Sequence, residues 1–208
     1  MDLNHQFTVA VPVEDAWRIL TDVERIAPCL PGAQLLEIEG DTYRGVVKVK
    51  VGPIQAQFKG QANFIERDDV AHKVVLKGEG RDTTGKGNAA AVITAEMTAV
   101  DATSTSVTVN TDLSVTGKVA QFGRGAMADI SDKLLAQFVV NLNALIAEQP
   151  ATSAPVPAAA SAPTEGVRTI ESAEVAPLDL LSAAGSPILK RALPVVVVIA
   201  VLVWLVVR

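Results

Sequence analysis

The segment Gly80-Arg81-Asp82-Thr83-Thr84-Gly85-Lys86-Gly87 comes closest to a chemical motif in this chain. It nearly repeats G-x-x-x-x-G-K-[ST], in which backbone N–H groups cradle phosphates and a last hydroxyl holds Mg²⁺. Gly87 stands where that hydroxyl is needed. Asn88–Ala99 reads as a strand, whereas the mechanism requires a helix N-terminus there. Nucleotide binding is therefore not expected. His5 and His72 lie far apart, without carboxylates or thiolates at ligand spacing, so no metal site is expected. Cys29 has no evident histidine partner and reads as a buried structural thiol. Asp68-Asp69 marks a turn. Thr111 is a polar residue at an inward position of its strand, thin support for catalysis. No nucleophile stands beside a base.

The elements around these residues read as a container. Leu3, His5, Phe7, Val9 and Val11 alternate with polar or small residues, which predicts a strand. Pro12-Val13-Glu14 opens a short helix carrying Ala16, Trp17, Ile19 and Leu20. A second short helix follows Asp22 and stops before Pro28. From Ala33 to Thr116 strand follows strand, with turns at Gly40-Asp41, Gly52-Pro53, Asp68-Asp69, Thr83–Gly85 and Ala102–Ser104. Ala120–Glu148 carries Phe122, Met127, Ile130, Leu134, Phe138, Leu142 and Leu145 at three- and four-residue spacing, which predicts one long amphipathic helix. The expected class is α+β: a seven-stranded antiparallel sheet against a long C-terminal helix.

One face of that sheet is unusual. Alternate positions give Ile54, Ala56, Phe58, Gly60, Ala62 and Phe64 on one strand. The next gives Val74, Leu76, Gly78 and Gly80, and the one after it Gly87, Ala89, Ala91, Ile93, Ala95 and Met97. The opposite parity carries Lys59, Gln61, Lys73, Lys77 and Glu79, so the first set faces inward. An inner face normally fills with large apolar side chains at close packing. Gly and Ala on three adjacent strands leave either very close sheet–helix approach or an internal apolar cavity. An empty cavity costs stability, so a ligand is its natural use.

The module is expected to end at residue 148. Residues 149–187 hold Pro150, Pro155, Pro157, Pro163, Pro177 and Pro187 among Ala and Ser, and read as a disordered linker spanning about 34 Å root-mean-square. Val175, Leu178, Leu180 and Leu181 form an apolar patch there, readable as incidental or as a short docking helix. Residues 188–208 read as a C-terminal membrane-anchoring helix. Ala192–Val207 holds no charge and no polar side chain, and with Ile188, Leu189 and the stems of Lys190 and Arg191 it reaches about 31 Å, just enough to span. The basic pair places the module on the cytoplasmic face of the cell membrane. The N-terminus lacks a secretory pattern, and a single Cys fits a reducing compartment. A net charge of −5 without a basic stripe argues against nucleic acid.

The order strand, two short helices, six strands and long helix resembles the helix-grip fold of the START-like and polyketide-cyclase superfamily. Within it the chain resembles the CoxG family of carbon monoxide dehydrogenase accessory proteins. The match is carried by Phe7-Thr8-Val9 with Pro12 and Ala16-Trp17, by Leu20-Thr21-Asp22, and by Ile26-Ala27-Pro28-Cys29-Leu30-Pro31-Gly32-Ala33. It continues through Gly78-Glu79-Gly80 and Gly85-Lys86-Gly87 to Thr116-Gly117-Lys118-Val119-Ala120-Gln121-Phe122-Gly123. The resemblance implies a non-enzymatic accessory protein of the molybdenum-containing CO dehydrogenase. The resemblance further implies that the protein recruits that enzyme to the membrane and binds a respiratory quinone, menaquinone, with no covalent or metal-bound cofactor. On this reading Phe7, Phe58, Ala62, Leu76, Gly78, Ala91, Val109, Phe122, Met127, Ile130 and Leu134 line the cavity. Trp17, Leu20, Ile26 and Leu30 form its mouth. The alternatives are a recruiter without ligand, a general lipid carrier, or a small enzyme like the cyclases of the superfamily.

Overall fold

The computed structural model describes residues 1–51, 54–85, 87–117, 119–148, 168–170 and 178–179. The first strand, β1 (Asp2–Val9), leads into helix α1 (Val13–Leu20), entered through Pro12. Helix α2 (Val23–Ile26) is capped by Asp22, whose side chain accepts from the Arg25 N–H. A single 3₁₀ turn, Ala27–Cys29, follows. Six strands come next: β2 (Ala33–Glu39), β3 (Thr42–Val51), β4 (Ile54–Asp68), β5 (Lys73–Asp82), β6 (Asn88–Asp101) and β7 (Ser104–Val115). Each pairs antiparallel with its sequence neighbour, and β1 pairs with β7. The expected seven-stranded antiparallel sheet is therefore present, with β1 at one edge. The predicted Gly52-Pro53 turn lies outside the described residues.

The closing helix begins later than its apolar spacing suggests. Val119–Phe122 is a 3₁₀ turn, and α3 runs from Gly123 to Ala147. Gly123 has φ +74°, a left-handed value that only glycine adopts without cost, so the chain is redirected there.

Two short segments of the predicted linker, residues 168–170 and 178–179, are described. Arg168–Thr169 forms β8, antiparallel to β2, and the Ile170 N–H donates to the Leu36 carbonyl at 2.7 Å. Leu178–Asp179 forms β9, parallel to Val49 and Lys50 of β3, so this part of the apolar patch is extended rather than helical. Both short strands satisfy backbone groups that the β2 and β3 edges would otherwise leave to water. The rest of the predicted linker and the whole predicted membrane helix lie outside the described residues.

The space between sheet and α3 is divided. At one end Val9, Ala16, Trp17, Ile19, Cys29, Val74, Met97, Val107, Phe138 and Leu142 form a solid core. Leu142 has no exposed surface at all. At the other end the sheet carries glycine and alanine. Gly45, Gly60 and Gly80 are directly paired across β3, β4 and β5. A Cβ on Gly60 would lie 2.0 Å from the Glu79 carbonyl oxygen and one on Gly45 2.4 Å from the Gln34 carbonyl oxygen, so these two are glycine because backbone approaches backbone. Gly78 is different: nothing lies within 4 Å of the place its Cβ would take.

Candidate functional site: an apolar cavity under the closing helix

The open end of the sheet–helix space is a cavity of about 410 Å³. Its sheet wall comes from Leu3 on β1, Val47 and Val49 on β3, Ala56, Phe58 and Ala62 on β4, Gly78 and Gly80 on β5, Ala89 and Ala91 on β6, and Leu113 and Val115 on β7. Its roof comes from Val119, Phe122, Met127, Ile130, Ser131 and Leu134. Val23, Ala27 and Leu30 approach from the side. Two large apolar lining residues are also well exposed, Leu30 at 43% and Val47 at 41%. Ala33 links them, because its N–H donates to the Leu30 carbonyl and it pairs with Val47. Two apolar side chains in contact with both cavity and water mark the mouth.

Nine of the residues expected at the ligand site are brought together here: Leu30, Phe58, Ala62, Gly78, Ala91, Phe122, Met127, Ile130 and Leu134. Six are placed elsewhere. Phe7 meets Phe138 edge-on in the solid core. Leu20, Ile26 and Val109 pack against that same core. Leu76 stands between Phe64 and Ile93, beyond the last lining residue of β5. Trp17 is not at the mouth: its indole N–H donates to Asp69 at 2.8 Å, Arg67 lies over its ring at 5.6 Å, and His72 meets it edge-on. These contacts pin α1 to the β4–β5 turn at the packed end. The β3 wall and the β2 contribution, Ala33 and Leu35, escaped the sequence reading.

Polar chemistry at the cavity is sparse. Tyr43 lines the wall beside Phe64, and burial, reinforced by Asp41, holds its phenol above its ordinary pKa, so it stays neutral. Asp82 is buried but satisfied by its own turn, accepting from the Thr84 N–H and hydroxyl at 2.8 and 2.9 Å. The segment after the near-phosphate motif is β6, so no helix N-terminus faces it. Burial raises the Cys29 thiol pKa. Among the described residues no three His, Cys, Asp or Glu side chains gather as a metal site. One polar group was missed from sequence. His5 Nε2 lies 3.1 Å from Asp132 Oδ1 and 3.3 Å from Ser131 Oγ, and Ser131 is on the cavity wall. The signal was present: Ser131 falls on the same helical stripe as Met127, Ile130 and Leu134, and His5 has inward parity.

Comparison with protein families matches residues 6–147 to the CoxG family of carbon monoxide dehydrogenase. The chain belongs to the CoxG family. Its family makes it an accessory protein of carbon monoxide dehydrogenase, and its apolar cavity suits a hydrophobic ligand. Among solved structures, this CoxG-family chain is similar to a conserved protein from Geobacillus kaustophilus. The TM-score is 0.65 at 21% identity, over 71% of this chain and 96% of that one. It is also similar to truncated norcoclaurine synthase from Thalictrum flavum, with TM-score 0.51 and 15% identity over 72% and 95%. These likenesses support the helix-grip fold and nothing finer. No curated protein matches the chain.

Proposed function

We propose that this CoxG-family protein is a membrane-tethered carrier that takes a respiratory quinone, menaquinone, into its cavity. It moves the quinone between the bilayer and carbon monoxide dehydrogenase, and it also recruits that enzyme to the cytoplasmic face of the membrane. The observation that carries this reading is the apolar cavity of about 410 Å³ with an apolar mouth at Leu30 and Val47. That volume lies within the roughly 300–1,000 Å³ of small-molecule sites. Burying a ring and the first part of a polyprenyl tail removes apolar surface from water at about 25 cal/mol per Å². A longer tail would leave through the mouth. Residues 188–208 would hold the module within reach of the bilayer, and the linker would set that reach.

Lipid extraction and mass spectrometry of the full chain purified from membranes test the reading. A stoichiometric quinone is the expected result. Phospholipid or fatty acid instead would make the protein a general lipid carrier. If the cavity stays empty after reconstitution with quinone, the protein is a recruiter only. Deleting Ile188–Arg208 should leave binding intact and impair delivery in cells; loss of binding would refute that division of labour.

A further inference from the structure

Where β1 closes against α3, the cavity wall holds a polar group whose hydrogen bonding is incomplete. On β1, Leu3 lines the cavity while Phe7 belongs to the packed core; His5 lies between them. On α3, Met127 and Leu134 line the cavity while Phe138 belongs to the core, and Ser131 lies on the cavity side of that boundary. His5 and Ser131 therefore meet at the floor, where the edge strand β1 closes against α3.

The donor count at this point decides what the floor can bind. The Asp132 carboxylate only accepts, so His5 Nε2 carries the hydrogen of their 3.1 Å contact. Both the neutral Nε2–H tautomer and the cation supply it. With that hydrogen in place, Nε2 has no lone pair to offer. The Ser131 hydroxyl, 3.3 Å away, can then only accept from His5, and its own hydrogen remains to be given. Among the described residues it makes no bond to a backbone carbonyl. The side chains of Met127, Ile130, Leu134 and Leu3, which line the same cavity, offer at most the weak thioether acceptor of Met127. A hydroxyl donor facing an apolar space gains by meeting an acceptor there.

We propose that Ser131 is the ligand's polar anchor: its hydroxyl donates to a carbonyl oxygen of the bound molecule, and His5, oriented by Asp132, positions it. This rests on the carrier reading above and sharpens it. The ligand class is a carbonyl-bearing ring with an apolar tail, held ring-inward with the tail toward Leu30 and Val47. Ser131 touches the ligand; His5 and Asp132 are positioning residues. Asp132 is 68% exposed on its side chain, so the ring oxygen would lie only a side chain or two beneath the β1–α3 seam.

Equilibrium dialysis of the purified full chain separates this inference from its parent. Two probes of similar shape are used, 2-methyl-1,4-naphthoquinone and 2-methylnaphthalene. The wild type should bind both, the quinone more tightly. Ser131→Ala should weaken the quinone about tenfold, the value of one ordinary hydrogen bond, and leave the hydrocarbon unchanged. Ser131→Thr should restore the difference, and Asp132→Ala should lose part of it. Equal affinity of the wild type for both probes overturns the anchor and leaves the carrier intact, without relying on any variant's folding. Unchanged quinone binding by Ser131→Ala also overturns it. Binding of neither probe overturns both readings.

Discussion

Phe7 and Phe138 meet edge-on, ring centroids 6.1 Å apart and planes at 83°, and this contact is where the space under α3 changes from cavity to packed core. Toward the start of β1 and of α3 the facing residues are Leu3, Met127 and Leu134, around open volume. Toward the other ends they are Val9 and Leu142, both essentially without exposed surface. One helix thus does two jobs along its length, holding the fold with its C-terminal half and roofing the cavity with its N-terminal half.

Truncations on either side of this contact should therefore differ in cost. Phe138→Ala removes a ring that is 8% exposed and packed on all sides, and should cost about 3–5 kcal/mol. Leu134→Ala enlarges a space that already exists, and should cost clearly less than the 2–5 kcal/mol usual for a buried leucine, roughly 1 kcal/mol. Urea unfolding of both variants measures the difference. Equal losses would mean that the volume beside Leu134 closes in solution.

The glycines offer a second contrast. Gly78→Leu places a side chain where nothing lies within 4 Å, so the protein should fold and lose ligand capacity. Gly60→Ala drives a Cβ to 2.0 Å from the Glu79 carbonyl oxygen and 2.6 Å from Gly80 Cα, which requires two strands to part. It should cost at least the roughly 1–3 kcal/mol of ordinary overpacking despite adding only a methyl group. Circular dichroism melts and ligand extraction on both variants check the pair. A stable, ligand-bearing Gly78→Leu would show that the open position is not used.

These contrasts mark what the sequence could and could not convey. Element order was legible because alternation and turn residues are local: Gly40-Asp41 falls between β2 and β3, and of Ala102–Ser104 all but Ser104, the first residue of β7, falls between β6 and β7. The small-residue wall was legible for the same reason, since Ala62, Gly78 and Ala91 share a parity and pair across strands. The β3 wall carried no such small-residue signal: Val47 and Val49 alternate with Lys48 and Lys50, but valine is equally at home in a packed core. Nor could Phe7 be told from Phe58 by type. One packs in the core and the other lines the cavity only because of where α3 lies along the sheet. The His5–Ser131 contact joins residues 126 apart, beyond any local pattern.

The Trp17 anchor carries a pH signature. Hydrogen-bond donation by the Trp17 indole, followed by that of Arg67, holds the Asp69 carboxyl below its ordinary value of 3.8. A folded-state pKa lowered in this way adds stability that is present above the ordinary value. It is lost as pH falls through the lowered one, because the unfolded chain then binds the proton more readily. The wild type should therefore lose stability on acidification partly through this group. Asp69→Asn should be less stable near neutrality. Its melting temperature should also show a shallower acid limb between about pH 6 and about pH 2, the range in which carboxylates titrate. An unchanged acid limb would remove Asp69 from the account. Asp69 is surface-exposed, so the effect should shrink in high salt.

The β8 strap should protect the sheet edge more than it stabilises the fold. Arg168 pairs with Glu24 of α2, and both side chains are largely exposed, so charge reversal at Arg168 should cost under about 1 kcal/mol. The backbone contacts matter differently. β8 occupies Glu37 and Ile38 of β2, and the Ile170 N–H takes the Leu36 carbonyl. Removing the strap bares a strand edge that can pair with another chain. Two truncations isolate this effect, one ending after residue 187 and one after Glu148; both lack the apolar C-terminus. Sedimentation at matched concentration should show the shorter form self-associating and the longer one not, with similar melting temperatures. Equal behaviour of the two would mean that β8 leaves the edge in solution as readily as it covers it, and that β2 is kept monomeric by its own charges, Glu37 and Glu39 with Arg44 beside them.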